Sequence, residues 1–181
     1  MLYKVLDEDG SAYYGGMGKW SLPHDGQPGG WMPRIERLEM CFCGYHLIDA
    51  LHLVEWLGPT IYEAEGDAKG ELVKDGKHCV HTARLLRKLV TWNERTARLF
   101  ACDCAEQALP VYEQYRSSGK APRHAIEIAR RFADGKATKE ELAAAWAAAR
   151  AAAGDAAGDA AGVWQTQRLF EYLSGQRGLP I

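Results

Sequence analysis

The composition of the chain changes near residue 90, and this change constrains the fold more than any other feature. The first half is rich in glycine and aromatic residues, and its short apolar runs are typical of strands and loops. The second half repeats apolar residues at steps of three and four, which predicts amphipathic helices. We therefore predict an α+β protein, with a small mixed or antiparallel sheet domain over residues 1–90 and an all-α antiparallel helical domain over residues 91–181.

Charge and cysteine content indicate the compartment and the class of partner. The chain of 181 residues has a formal net charge of −2, which argues against general affinity for nucleic acids or anionic membranes. Its five cysteines are an odd number, and Met1–Lys4 is not followed by an apolar signal segment. No apolar run approaches the roughly 18 residues that span a bilayer. We expect a cytoplasmic protein whose thiols are free or metal-bound.

Six glycines and three prolines between residues 14 and 33 predict a long irregular loop rather than a helix. Trp20 and Trp31 lie in this loop, and large apolar side chains of this kind are expected to anchor it to the first domain. Aromatic side chains also dominate binding hot spots. Both tryptophans are therefore candidate contacts for a protein partner.

Alternating apolar residues and turn signals predict the strands of the first half. The predicted strands cover residues 2–6, 38–43, 45–47, 60–65, 71–73 and a single long segment from His78 to about Leu86. Between the third and fourth of these strands we expect a short helix over residues 50–57, capped by Asp49 and ended by Gly58.

Two capping boxes mark helix starts in the second half: Thr91 with Glu94, and Thr138 with Glu141. Pro110 is expected to bend or split the first of these helices. Thirteen of residues 140–161 are alanine, a strong helix former, but Gly154 and Gly158 interrupt the tract. Residues 150–162 are therefore predicted to be either a closely packed helix or a flexible joint.

A zinc site is one candidate for chemistry in the first half. Cys41 and Cys43 share one face of a predicted strand, as do Cys79 and His81, because side chains alternate along a strand. If the two strands are neighbours, three thiolates and an imidazole could converge in the ligand set that zinc prefers. Neither pair has tight-turn zinc-knuckle spacing, so small buried residues and ordinary histidines remain the competing interpretation.

A second candidate is a nucleotide site. Gly44–Leu47, a short helix and Ile61–Gly66 together resemble the second half of ADP-ribosyltransferase-type folds, in which a carboxylate and an aromatic ring flank the nicotinamide of NAD. The resemblance implies Glu63 or Glu65 as the carboxylate and Tyr45 as the stacking ring, with Tyr14 and His46 nearby. The basic residue that such folds place beside Tyr14 is absent. Solvated glutamates at a strand edge are the competing interpretation.

Two further groups of residues, the cysteines and the arginines of the second half, carry expectations of their own. Cys104 lies on the predicted inward face of a helix and Cys102 faces elsewhere, and both are expected to be core or half-buried residues rather than nucleophiles. Arg123, Arg130 and Arg131 lie on one side of a helix. They predict a solvated face or a contact for an acidic protein partner.

The chain also resembles two families that together cover nearly its whole length. The first half resembles a domain common in phage and actinobacterial proteins through residues 3–6, 20–23, 44–47, 54–59 and 61–65. It departs from that family at two positions, because Ile48 and Tyr14 stand where its members often have a cysteine and a histidine. The second half, from residues 92–100 to 164–169, is similar to immunity-protein-like helical domains.

These resemblances imply an accessory gene of phages or mobile elements. They carry no assigned activity, so we expect a non-enzymatic protein that binds a host protein or protein complex, for example in counter-defence of the anti-CRISPR kind. The alternative is an ADP-ribosyltransferase-like enzyme that uses NAD, or a nucleotide-binding protein. The first hypothesis requires no cofactor, whereas the alternatives would use zinc or NAD. The sequence leaves the oligomeric state open.

Overall fold

A computed structural model describes residues 1–115, 120–152 and 162–177 of the chain. The chain divides into two compact units, Met1–Trp92 and Asn93–Ile181. Within these described residues, the first unit contains a six-stranded sheet and the second contains four helices. The predicted α+β class is confirmed, and the sheet is antiparallel throughout.

The sheet of the first unit has the strand order β4-β5-β2-β1-β3-β6. Its central strand β1 is the first of the chain, so later strands are added on both sides of it. A short 3₁₀ helix, Leu53–Trp56, follows β2. The strands are β1 (Leu2–Leu6), β2 (Tyr45–Asp49), β3 (Thr60–Gly66), β4 (Leu72–Lys74), β5 (Lys77–Val80) and β6 (Ala83–Lys88).

The long glycine-rich loop packs against one face of this sheet. Trp20 is buried there in a cluster with Leu6, Leu47, Tyr62 and residues of β5 and β6, and Met32 packs against the same cluster. The backbone amides of residues 29, 32 and 35 donate to the carbonyls of residues 85, 83 and 81 at 2.8–2.9 Å. The loop therefore takes up hydrogen-bonding groups at the exposed edge of β6, which an uncovered edge strand would leave unpaired.

Two of the predicted strands are wrong. Residues 38–43 form a tight turn closed by the bridge between Glu39 and Cys43, and Cys41 has a φ of +69°. The segment predicted as a single strand from His78 is two strands, β5 and β6, separated at residues 81–82. The break occurs because the loop binds there: the amide of Ile35 donates to the carbonyl of His81, and the hydroxyl of Thr82 donates to the carbonyl of Met32.

The second unit contains the helices α1 (Glu94–Tyr115), α2 (Ala121–Ala133), α3 (Lys139–Ala152) and α4 (Gly162–Leu173). Pro110 lies inside α1 and does not split it. Ala125, Ile128 and Ala145 form a small core with Leu142. Of the residues 150–162 predicted as helix or joint, 150–152 end α3 and residue 162 begins α4, whereas 153–161 lie outside the described residues.

Side-chain caps fix where two of these helices begin. At α3 the predicted box is confirmed, because the amide of Thr138 donates to the Glu141 carboxylate and the amide of Glu141 donates to the Thr138 hydroxyl. At α1 the box is formed two residues later than predicted. The amide of Thr96 donates to the Asn93 side chain, and the amide of Asn93 donates to the Thr96 hydroxyl.

Candidate functional site

A cleft of about 710 Å³ opens in the first unit where β1 and β2 stop pairing. The two strands pair only at Leu2 with Asp49 and at Tyr3 with Ile48, although each strand is five residues long. Beyond these pairs the backbone of β2 needs other partners. The second half of the 38–43 turn together with Gly44 forms one wall of the cleft, and we call these residues the 41–44 turn. The rest of the lining comes from β1, β2, the glycine-rich loop, Ala12, Ile35, Trp56 and Lys77.

Lys4 fills part of the gap between the two strands. Its Nζ donates to the backbone carbonyl of His46 at 3.0 Å and lies 5.1 Å from the centre of the Trp20 ring. No carboxylate in the described part of the chain forms an ion pair with it. Burial lowers the pKa of Lys4 to about 8, because the protein interior disfavours the charged amine. At neutral pH the amine is still mostly protonated.

Lys77 supplies a second positive charge to the cleft. Its Nζ lies 4.1 Å from the centre of the Trp56 ring and 3.7 Å from the Cys41 sulfur. The ring face attracts the ammonium through its negative quadrupole. Residues 1–115, 120–152 and 162–177 provide no carboxylate partner for this lysine either. The cleft therefore holds two lysines without an acidic counter-charge.

His46 also lines the cleft, and its imidazole is uncharged at neutral pH. Burial is the main reason that its pKa falls below the usual value, and the charges of Lys4 and Lys77 lower the pKa further. The amide of Cys41 donates to His46 Nε2 at 2.9 Å, so the ring proton resides on Nδ1. The imidazole thus holds the 41–44 turn in place and adds no charge to the cleft.

Aromatic rings and glycines form much of the remaining wall. The Tyr14 hydroxyl donates to the carbonyl of Leu57, and the Tyr14 ring meets the Trp56 ring edge-on at 5.2 Å. Tyr45 donates to the carbonyl of Pro33 at 2.7 Å and meets the Trp20 ring at 5.4 Å. Between Tyr14 and Lys19 the backbone of residues 15–18 borders the cleft almost without side chains, apart from Met17.

The structure brings together only part of the predicted nucleotide set. Tyr14, Tyr45 and His46 line the cleft, but Glu63 and Glu65 do not. Glu63 accepts two hydrogen bonds from Arg87, at 2.5 and 2.6 Å, and Glu65 accepts one from Arg84 at 2.5 Å. The two carboxylates thus belong to the pairing of β3 with β6. The arrangement in which Tyr45 faces a glutamate across a nicotinamide pocket is not present.

The four residues predicted for zinc lie close in the fold but do not form a ligand set. Cys79 is buried and its sulfur donates to the carbonyl of Cys43 at 3.3 Å, while burial raises the pKa of the thiol. Cys41 is exposed, and His81 Nδ1 contacts the carbonyl of Ile35 at 2.6 Å. Across the described ranges, no three His, Cys, Asp or Glu side chains form a group that could hold a metal ion.

The residues predicted for partner binding differ in their accessibility. Trp20 is 8% exposed and belongs to the core, whereas Trp31 is 49% exposed with the Arg84 guanidinium 4.9 Å from its ring. Each of the three arginines on α2 has an acceptor within the second unit. Arg123 pairs with Glu113, Arg130 pairs with Asp103 and Glu106, and Arg131 donates to the carbonyl of Lys136.

The predicted orientations of the two cysteines of α1 are wrong in one respect. Cys102, predicted to face elsewhere, is buried, and Cys104 is half-buried. Burial raises the pKa of both thiols, to about 11 for Cys104. Both are therefore protonated at neutral pH, as expected of core residues rather than nucleophiles.

Lys4, Lys77 and Trp56 are site residues that sequence reasoning missed. A signal for Lys4 was available, because strand alternation places it on the same face as Leu2 and Leu6, and a charge among apolar neighbours is unusual. No comparable signal exists for Lys77 and Trp56. Lys77 is brought to the cleft by the pairing of β2 with β5, which joins Ile48 to Lys77 over a long stretch of chain.

Comparison with known proteins bears on the second half of the chain. None of the described helices is both long and apolar enough to cross a membrane. No curated protein and no solved structure shows significant similarity to the chain. Residues 87–164 match the model of a protein family described as Imm-5 like putative immunity protein.

Proposed function

We propose that the protein acts by binding another protein and not by catalysis. In this proposal it is an accessory protein of a phage or mobile element, and its partner is a host protein or complex in the cytoplasm, such as a component of antiviral defence. The observation that carries the proposal is the match of residues 87–164 to an immunity-protein family. Immunity proteins of the known toxin pairs act through tight protein–protein binding.

Exposed aromatic side chains supply candidate contacts for such a partner. Trp31 combines a large half-exposed ring with a neighbouring arginine, and tryptophan and arginine are the residues most enriched in binding hot spots. Trp20 packs in the core, so its role in this proposal is to hold the loop that presents Trp31. The arginines of α2 are already paired within the unit, so the partner need not be acidic.

The test is quantitative affinity capture with the full chain, followed by binding measurements on the purified partner. Two matched variants locate the contact: Trp31→Ala in the first unit and Trp146→Ala in the family-matched segment, whose rings are 49% and 50% exposed. We expect one protein to bind the wild type with a Kd below about 1 μM, and loss of the hot-spot ring to weaken binding at least about tenfold. Trp31→Ala is the variant expected to lose affinity. Failure of every enriched protein to bind in purified form contradicts the proposal.

The NAD-using alternative requires a carboxylate beside Tyr45, but Glu63 and Glu65 lie in ion pairs with Arg87 and Arg84 and do not line the cleft. It is distinguished by incubating the protein with NAD and measuring nicotinamide release. We expect the release to equal that of a buffer control. Turnover that disappears in Glu63→Gln or Glu65→Gln would reverse the order of the two hypotheses.

A further inference from the structure

The cleft of the first unit is positively charged in a protein whose net charge is negative. The chain has 24 acidic side chains, and none of those in the described ranges lines the cleft, whereas Lys4 and Lys77 both do. His46 is neutral and adds no further charge, and the lining contains no carboxylate to offset the two ammonium groups. A recessed surface of one sign focuses its field and raises the local concentration of counter-ions. The charge therefore favours an anionic ligand.

Both lysines make few hydrogen bonds within the protein, so their amines are available to an anionic ligand. Lys4 has a single hydrogen bond, to a backbone carbonyl, and Lys77 contacts an aromatic ring and a sulfur atom. An ammonium group has three donors, so both retain donors for a ligand. A lysine acts as a compact point charge, and lysines of this kind are common contacts of phosphate groups.

The rest of the lining suits a phosphate attached to a flat ring. The backbone amides of residues 15–18 have no hydrogen-bond partner among the described residues, and Gly15 and Gly18 have open space where a side chain would stand. Glycines of this kind allow the backbone to approach a ligand closely. Tyr14 and Trp56 add ring surface on which a planar group can pack.

We propose that this cleft binds a small phosphorylated ligand with a planar ring, of the nucleoside phosphate class, with Lys4 and Lys77 as its anion contacts. The cleft volume of about 710 Å³ lies within the range typical of small-molecule sites. This site is separate from the proposed protein contact at Trp31, which does not line the cleft. Binding here requires no chemical step.

The experiment is calorimetric titration of the full chain with AMP, GMP, CMP and UMP, beside adenosine and inorganic phosphate. We expect at least one nucleotide to bind with a Kd of about 10–100 μM, and about tenfold more tightly than adenosine or phosphate alone. The two half-ligands separate the contribution of the ring from that of the charge. If no nucleotide binds at millimolar concentration, or if phosphate alone binds as tightly as every nucleotide, the proposal is overturned.

Variants assign the binding to the two lysines. Lys4→Met and Lys77→Met are each expected to weaken nucleotide binding about tenfold, because each removes one charge-assisted hydrogen bond. Lys74→Met is the matched control, since Lys74 pairs with Lys77 across β4 and β5 but does not line the cleft. Equal effects of all three substitutions would contradict the assignment. Should Lys4→Met fail to fold, Lys77→Met and its control still decide.

Trp31→Ala keeps the two proposals apart. This variant is expected to bind the nucleotide as the wild type does, because its ring contributes nothing to the cleft lining. Loss of protein binding with intact nucleotide binding supports both proposals. If the wild type binds its protein partner but no nucleotide, the proposed function stands and the inference about the cleft is overturned.

Discussion

Lys4 is the residue whose position is hardest to explain by stability alone. It occupies the central strand of the sheet, on the face that also carries Leu2 and Leu6. Its amine donates a hydrogen bond to the carbonyl of His46 in β2. At that position β1 no longer pairs with β2, so the backbone of β1 supplies no donor. An apolar residue with full pairing of β1 to β2 would avoid the cost of burying a charge. The cost is understandable if the charge serves a ligand.

The lowered pKa of Lys4 predicts a particular dependence of stability on pH. His46 and Lys77 line the same cleft as Lys4, and no carboxylate of the described residues does so. In the unfolded chain the pKa is 10.5 and in the folded chain it is about 8, so the unfolded chain binds more protons between these values. The free energy of unfolding should therefore rise with pH across this interval, relative to Lys4→Met, by about 1–3 kcal/mol.

Chemical denaturation of the wild type and of Lys4→Met at several pH values between about 8 and 10 measures this difference. All other titratable groups are the same in both proteins, so their contributions to the difference cancel. A difference in unfolding free energy that stays constant across the interval would show that the amine is solvated in the folded chain.

The resemblance to ADP-ribosyltransferase-type folds predicts five residues for one ligand site, and the structure places only part of this set around the cleft. Tyr14, Tyr45 and His46 line the cleft, whereas Glu63 and Glu65 do not. The arginine partners of these two glutamates lie about 20 residues further along the chain. That pairing depends on the register of β3 with β6, including its bulge after Glu63, and no local pattern encodes it.

At the scale of elements, a buried carboxylate links three helices of the second unit. Asp103 of α1 is 6% exposed. It accepts hydrogen bonds from Arg130 of α2 at 2.6 Å and from the hydroxyl of Tyr172 of α4 at 3.0 Å. Arg168 and Arg177 lie 3.5 and 3.6 Å from the same carboxylate. Burial, together with the charge of Asp103, raises the pKa of Tyr172 to about 12.

Removal of this carboxylate should destabilise the second unit strongly. Asp103→Ala leaves arginines and a tyrosine hydroxyl without their shared acceptor, which we expect to cost about 3–5 kcal/mol of unfolding free energy. Glu113→Ala removes the partner of Arg123 in an exposed pair, and the unfolding free energy should stay close to that of the wild type. Urea denaturation followed by circular dichroism at the helical band compares the two. Similar losses in both variants would contradict the role assigned to Asp103.

Element boundaries show where sequence periodicity stops being informative. The capping box of α3 was predicted correctly because it depends on residues three positions apart. The break between β5 and β6 was missed because residues 78–86 contain no glycine or proline to mark it. The break is created by hydrogen bonds between Ile35 and His81 and between Thr82 and Met32. The members of these pairs are 46 and 50 positions apart in the chain.

At the scale of the whole molecule, the distribution of charge matters more than its sum. The net charge of −2 would repel a nucleotide at long range, so attraction must come from the local field of the cleft. The sequence could predict the sum and the change of architecture near residue 90. It could not predict a cationic cleft, because the cleft depends on the separation of β1 from β2 and on the arrival of Lys77 from β5.

A salt titration follows from this distribution. Exposed charges are screened over about 30 Å at 0.01 M salt and about 8 Å at 0.15 M, so nucleotide affinity should fall about three- to tenfold as salt rises through this range. The slope of log Kd against log salt concentration should be shallower in Lys77→Met than in the wild type, because one of the two cleft charges is gone. In Lys74→Met the slope should match the wild type, since Lys74 lies outside the cleft lining. Calorimetry at several salt concentrations measures all three, and equal slopes in the three proteins would mean that the lysines of the cleft do not hold the anion.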